Sequence, residues 1–112
     1  MNIDSKELAN KIVEAMEDKK ARDVIALEIK NISLIADYFI ICSAGSSVQA
    51  QAIADNVEEK MDELGLHVRH KEGYREANWI LLDYGDAVAH IFQEDDRSFY
   101  NLEQLWGDAP AI

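Results

Sequence analysis

Apolar residues recur along this chain at two different spacings. Leu8, Ile12, Ala15 and Met16 return every three or four residues, the period of one helix face. Asp4 with Glu7 three residues on reads as a capping box, and Glu17-Asp18-Lys19-Lys20 closes the stretch in charge, so a helix is predicted over about 5–18. The same period returns at Ile53, Val57, Met61 and Leu64, preceded by Ser46 and Gln49 as a second capping box and stopped at Gly65. Between these helices the period shortens. The stretch from Asp23 to Ile29 reads as a strand with Ile25, Leu27 and Ile29 on one side and Val24 and Ala26 on the other, both at least partly buried. Residues 31–36 form a connection. Tyr38-Phe39-Ile40-Ile41-Cys42 has almost no polar interruption and suits an interior strand covered on both faces.

Beyond Gly65 the pattern predicts a short strand over 67–71 and a polar loop over 72–78 with an exposed Tyr74. Strands follow over 79–83 and 87–92. Only Tyr84-Gly85-Asp86 separates them, which makes a tight hairpin. Glu94-Asp95-Asp96 opens a last helix, with acids near its positive end and Phe99, Leu102, Leu105 and Trp106 on its apolar side. About five strands and three helices in this order predict an α/β fold, a mixed sheet with helices packed on it, in one domain over 1–112.

Composition narrows the function. An apolar fraction of 48% and a charged fraction of 29% fit a folded globular protein. The net charge of −11 argues against binding nucleic acid through its phosphates, which needs clustered Lys and Arg, and against anionic membrane surfaces. A basic protein partner is the natural complement; solubility alone is the competing explanation. The single cysteine, Cys42, lies in an apolar run and reads as a buried structural thiol, in keeping with a reducing compartment. No stretch approaches the ~18 consecutive apolar residues of a membrane span. The N-terminal residues carry no Arg-rich or apolar leader, so a cytoplasmic protein is expected.

Little here resembles an enzyme. His67 and His70 are three apart, which on a strand puts them on opposite faces. His90 shares a strand face with Val88 and Phe92 and reads as a packed, hydrogen-bonded side chain, so no metal is expected. Ala44-Gly45-Ser46-Ser47 joins a strand to a helix N-terminus, where phosphate can bind, but lacks the glycine spacing and lysine of a P-loop. Together with Asp83 and Asp86 this turn suggests the alternative function, a magnesium-dependent nucleotidyltransferase. The two acids are three apart across a turn, a poor spacing for the tight carboxylate cluster of metal-assisted transfer. No catalytic residue and no cofactor is therefore assigned.

Longer motifs carry more. The run Trp79-Ile80-Leu81-Leu82-Asp83-Tyr84-Gly85-Asp86-Ala87-Val88-Ala89-His90-Ile91-Phe92 resembles the central signature of the ribosomal silencing factor family, also called Iojap-related. Arg97-Ser98-Phe99-Tyr100-Asn101-Leu102-Glu103-Gln104-Leu105-Trp106 is similar to its C-terminal signature. Asp37 to Cys42, Ser46-Ser47, Ala52 to Asp55 and Glu72-Gly73 fit upstream, in order, over nearly the whole chain. The resemblance implies a nucleotidyltransferase-like α/β domain without a known catalytic role. It further implies binding to the large ribosomal subunit through ribosomal protein fourteen of that subunit, blocked subunit joining, reduced translation, and a homodimer when free. The candidate partner-binding residues are Trp79, Ile80, Asp83, Tyr84, Asp86, His90, Arg97 and Tyr100. Trp79 follows a polar loop and is either an interface anchor or core. Asp83, Tyr84 and Asp86 sit at a turn that can project side chains or simply need them for turn chemistry. Arg97, Tyr100 and Glu103 share a helix face open to a partner, to a second copy or to solvent.

Overall fold

The computed structural model describes residues 3–30 and 36–95. Helix α1 spans Ser5–Asp18, and the Asp4 carboxylate accepts a hydrogen bond from the Glu7 N–H at 2.7 Å, one half of the expected capping box. Its buried side is Leu8, Ala9, Ile12, Ala15 and Met16. Strand β1 spans Arg22–Glu28 and β2 spans Tyr38–Ala44, with every residue of β2 buried. Helix α2 spans Ser47–Glu63. The Ser46 hydroxyl caps it at 3.1 Å from the Gln49 N–H. At its far end the Gly65 N–H donates to the Asp62 carbonyl and the Leu66 N–H to the Met61 carbonyl, both at 2.9 Å. Strands β3 (His70–Glu72), β4 (Trp79–Asp83) and β5 (Ala87–Gln93) follow.

The five strands form one sheet in the order β1-β2-β5-β4-β3. Only β2 and β5 run parallel; the other three pairs are antiparallel, so the sheet is mixed as expected. The two described helices lie together on one face. There Leu8, Ile12 and Met16 of α1 and Ile53, Val57 and Met61 of α2 meet Tyr38, Ile40, Cys42, Ile80, Leu82, Ala89 and Ile91 of the sheet. Alanines at 44, 87 and 89 leave room for the helices to approach. Asn56, buried in α2, donates to the Ala15 carbonyl of α1 at 2.8 Å and fixes the pairing of the helices. Cys42 is buried in this cluster.

The structure differs from the sequence pattern in several places, β2 running on to Ala44 among them. The strand expected over 67–71 begins only at His70, because the turn ending α2 continues through Leu66 and ladder pairing starts where the Arg69 N–H meets the Asp83 carbonyl at 2.8 Å. His67 therefore lies outside the sheet, its Nδ1 2.8 Å from the Asp62 carboxylate. Tyr74 is half-buried rather than exposed: its hydroxyl donates to Asp55 at 3.1 Å and the Lys71 ammonium sits 4.1 Å above its ring. Of the expected third helix only Glu94 and Asp95 are described, both helical; Phe99, Leu102, Leu105 and Trp106 lie outside the described residues.

Candidate functional site

The sheet face away from α1 and α2 carries a second cluster: Leu27, Ile29, Phe39, Ile41, Val88 and Phe92, with Ile25, Trp79 and Leu81 packed on it. Strand alternation accounts for it. Val88, His90 and Phe92 of β5 point to this side while Ala87, Ala89 and Ile91 point to the helices. Register then brings Trp79 opposite Phe92, and Leu81 and Ile41 to either side of His90.

Trp79 is the partly exposed member of this aromatic group. Its ring stacks on Phe92 with centroids 5.0 Å apart and 26° between planes. Its indole Nε1–H donates to His90 Nδ1 at 3.0 Å. His90 is 3% exposed and meets the Phe39 ring edge-on at 4.7 Å. Because Nδ1 accepts, the proton of the neutral ring sits on Nε2. Among the described residues that buried N–H has no hydrogen-bond partner, a cost of about 1–3 kcal/mol. Burial also lowers the pKa of His90 to about 4, so the ring is neutral near pH 7. Behind Trp79 the chain turns tightly at Gly73, where a Cβ would lie 2.0 Å from the Trp79 carbonyl oxygen and φ is +76°. Only glycine lets that turn pass over the start of β4.

The other candidates separate. Asp83 is partly buried on the aromatic side, and its carboxylate accepts from the Gly85 N–H at 2.7 Å. Asp86 is exposed, and its carbonyl accepts from the Asp37 and Tyr38 N–H groups at 2.8 and 3.0 Å, tying the hairpin to β2. Turn chemistry is thus real at both positions, while both carboxylates remain near the surface. Ile80 is a correction: it is fully buried on the helix-packed face, where alternation with Trp79 sends it, and offers no side-chain surface to a partner. Tyr84 is likewise buried against the helices; its hydroxyl has no partner among the described residues, and burial pushes its pKa up. Arg97 and Tyr100 lie outside the described residues.

The transferase constellation does not assemble. Asp83 and Asp86 lie near the Tyr38–Ala87 pair, at one end of the parallel strands. Ser46 follows Ala44 at the other end, roughly 20 Å away along six residues of strand. The Gly45 N–H at that turn already donates to the Gln49 side chain at 2.7 Å, and Gln49 also reaches the Lys19 and Lys20 carbonyls. His70 pairs with Glu72 at 2.7 Å, away from His67. Among the described residues no group of three or more His, Cys, Asp or Glu side chains converges on a metal position.

The sequence pattern missed the support around Trp79. Counting outward from the hairpin turn, Asp83 opposite Val88 puts Trp79 opposite Phe92 and one diagonal step from His90. That count was available in the sequence; the contribution of Phe39, from a strand about fifty residues earlier, was not.

A mixed sheet with helices packed on one face and an aromatic cluster on the other defines a small α/β domain. Comparison with known proteins gives it a family. The family described as "Ribosomal silencing factor during starvation" matches residues 2–112, and the chain belongs to it. It is 49% identical over 108 residues to the ribosomal silencing factor RsfS of Halalkalibacterium halodurans, covering 96% of this chain and 92% of that protein. It is 53% identical over 96 residues to RsfS of Bacillus subtilis, covering 86% and 81%. A crystal structure of a Chromobacterium violaceum protein superposes with a TM-score of 0.92 at 31% identity, over 94% of this chain and 88% of that one.

Proposed function

We propose that this chain represses translation by binding ribosomal protein fourteen of the large subunit and sterically keeping the small subunit from joining. The observation that carries the reading is Trp79: partly exposed, stacked on Phe92 and hydrogen-bonded to His90, on the strand face that also carries Asp83 four residues further along β4. A rigid aromatic ring is an economical anchor because little side-chain entropy remains to be lost on binding. The acidic balance of −11 complements a basic ribosomal protein. Occupancy suffices for this mechanism, so it needs no cofactor and no turnover, and the nucleotidyltransferase-like scaffold serves as a shape. Trp79, Asp83 and Asp86 form the contact, and Arg97 and Tyr100 extend it. His90 acts from beneath Trp79. The protein works in the cytoplasm and is a homodimer when free. The test is a sucrose gradient of ribosomes with added protein. Free subunits should rise at the expense of joined ribosomes, and an unchanged profile at saturating protein sinks the proposal.

A further inference from the structure

The geometry points to His90 as a positioning residue that sets the orientation of the Trp79 indole for docking on the partner, while contributing no contact of its own. The inference rests on the docking reading above and specifies how its anchor is held. Among the described residues His90 makes one side-chain hydrogen bond, from the Trp79 Nε1–H to its Nδ1 at 3.0 Å, and its other nitrogen is buried without a partner. A leucine or phenylalanine in this apolar cluster would bury the same volume without an orphaned donor, so stability does not account for a histidine here. What the histidine adds is a fixed acceptor. Its own ring is in turn held edge-on by Phe39, and Trp79 is stacked flat on Phe92. Stacking alone leaves the indole free to slide or flip in its plane; the bond to Nδ1 chooses which edge faces inward and therefore which faces out. A partner reading the exposed edge meets one orientation in place of several, and the entropy of choosing it is already spent.

The test uses the full chain and three variants, with Trp79→Phe added for assignment. His90→Leu removes the acceptor. His90→Asn returns an acceptor near the place of Nδ1. Trp79→Ala removes the anchor. Binding to isolated large subunits is titrated by co-sedimentation, and the Trp79 indole N–H resonance, assigned by its loss in Trp79→Phe, is followed without ribosomes. In the parent that resonance should be shifted downfield and slow to exchange with solvent. In His90→Leu it should move upfield and exchange faster, the thermal midpoint should be equal or higher, and affinity should fall about tenfold. His90→Asn should regain most of the affinity. If Trp79→Ala weakens binding while His90→Leu binds like the parent, or His90→Asn recovers nothing, the positioning role is overturned and the docking reading stands. If Trp79→Ala binds unchanged, the docking reading fails and the inference with it. A parent indole N–H that exchanges freely overturns the inference even if His90→Leu fails to fold.

Discussion

Ile80 and Leu81 are neighbours in the chain and belong to different parts of the molecule. Ile80 points to the helices, into a cluster of aliphatic and small side chains drawn from both helices and four strands. Leu81 points the other way, to a smaller cluster rich in rings, beside His90 and the partly exposed Trp79. The first face is built for density: alanines at 44, 87 and 89 admit the helices, and its large side chains are sealed from solvent. The second accepts an orphaned histidine N–H and a partly exposed tryptophan, features that weaken a core and suit a contact surface. Burial next to a recognition motif is therefore a poor guide to recognition; the strand face decides.

The sharpest way to break this comparison is to truncate one residue on each side. Ile80→Ala should cost about 2–5 kcal/mol of stability, since it leaves a cavity under two helices, and should change the affinity of the remaining folded protein little. Leu81→Ala should cost roughly half as much, because the side chain is only partly buried. Urea unfolding of both variants, with binding measured at equal folded concentration, checks the pair. Equal costs would mean that the two faces are one core in energetic terms.

A smaller effect isolates the aromatic face. His90 has its pKa lowered from the usual 6.5 to about 4 by burial. The unfolded chain therefore takes up a proton on this residue before the folded one does. Stability from this source is complete above pH 6.5, falls across the window from 6.5 down to about 4, and levels off below it. Integrated over that window the loss is on the order of 3 kcal/mol. Urea midpoints at pH 7, 5.5 and 4.5 should diverge between the parent and His90→Leu, which lacks the group, because the parent loses more as pH falls. Parallel slopes would show that His90 titrates normally and is not sealed.

Much of this was legible in the sequence, for identifiable reasons. Helices α1 and α2 announce themselves through side-chain caps at Asp4 and Ser46, and both caps are made by local hydrogen bonds. The interior strand over Tyr38 to Cys42, which the structure extends to Ala44, and the tight hairpin at Gly85 follow from local patterns too. The family motif is a continuous string that does not separate the two faces of a strand, so it does not show that Ile80 and Tyr84 belong to the helix side. Nor could it show that Tyr74 is held by Asp55 and Lys71, or that His90 is clasped between Phe39 and Trp79. Those contacts join segments whose separation only the sheet order closes.

The smallest expected effect concerns the charges at the edge of the aromatic face. Asp83→Asn with Asp86→Asn removes two negative charges and leaves the turn able to form, because an asparagine oxygen can still accept from the Gly85 N–H. The Asp86 bonds to β2 use its backbone carbonyl and are untouched. Any change in binding then reflects electrostatics. Exposed charges act mainly on encounter, and salt screens them beyond about 10 Å at 0.1 M. The double variant should lower the association rate by about two- to fourfold at low salt, with dissociation nearly unchanged, and the difference should close as salt rises. Stopped-flow mixing with large subunits across a salt series measures both rates. If the parent's association rate is itself independent of salt, the net charge of −11 serves solubility alone, and docking rests on Trp79 and its supports. If instead the variant dissociates faster at every salt concentration, Asp83 or Asp86 is desolvated in the complex. The contact would then reach around the turn, drawing the edge of the aromatic face into the interface with Trp79.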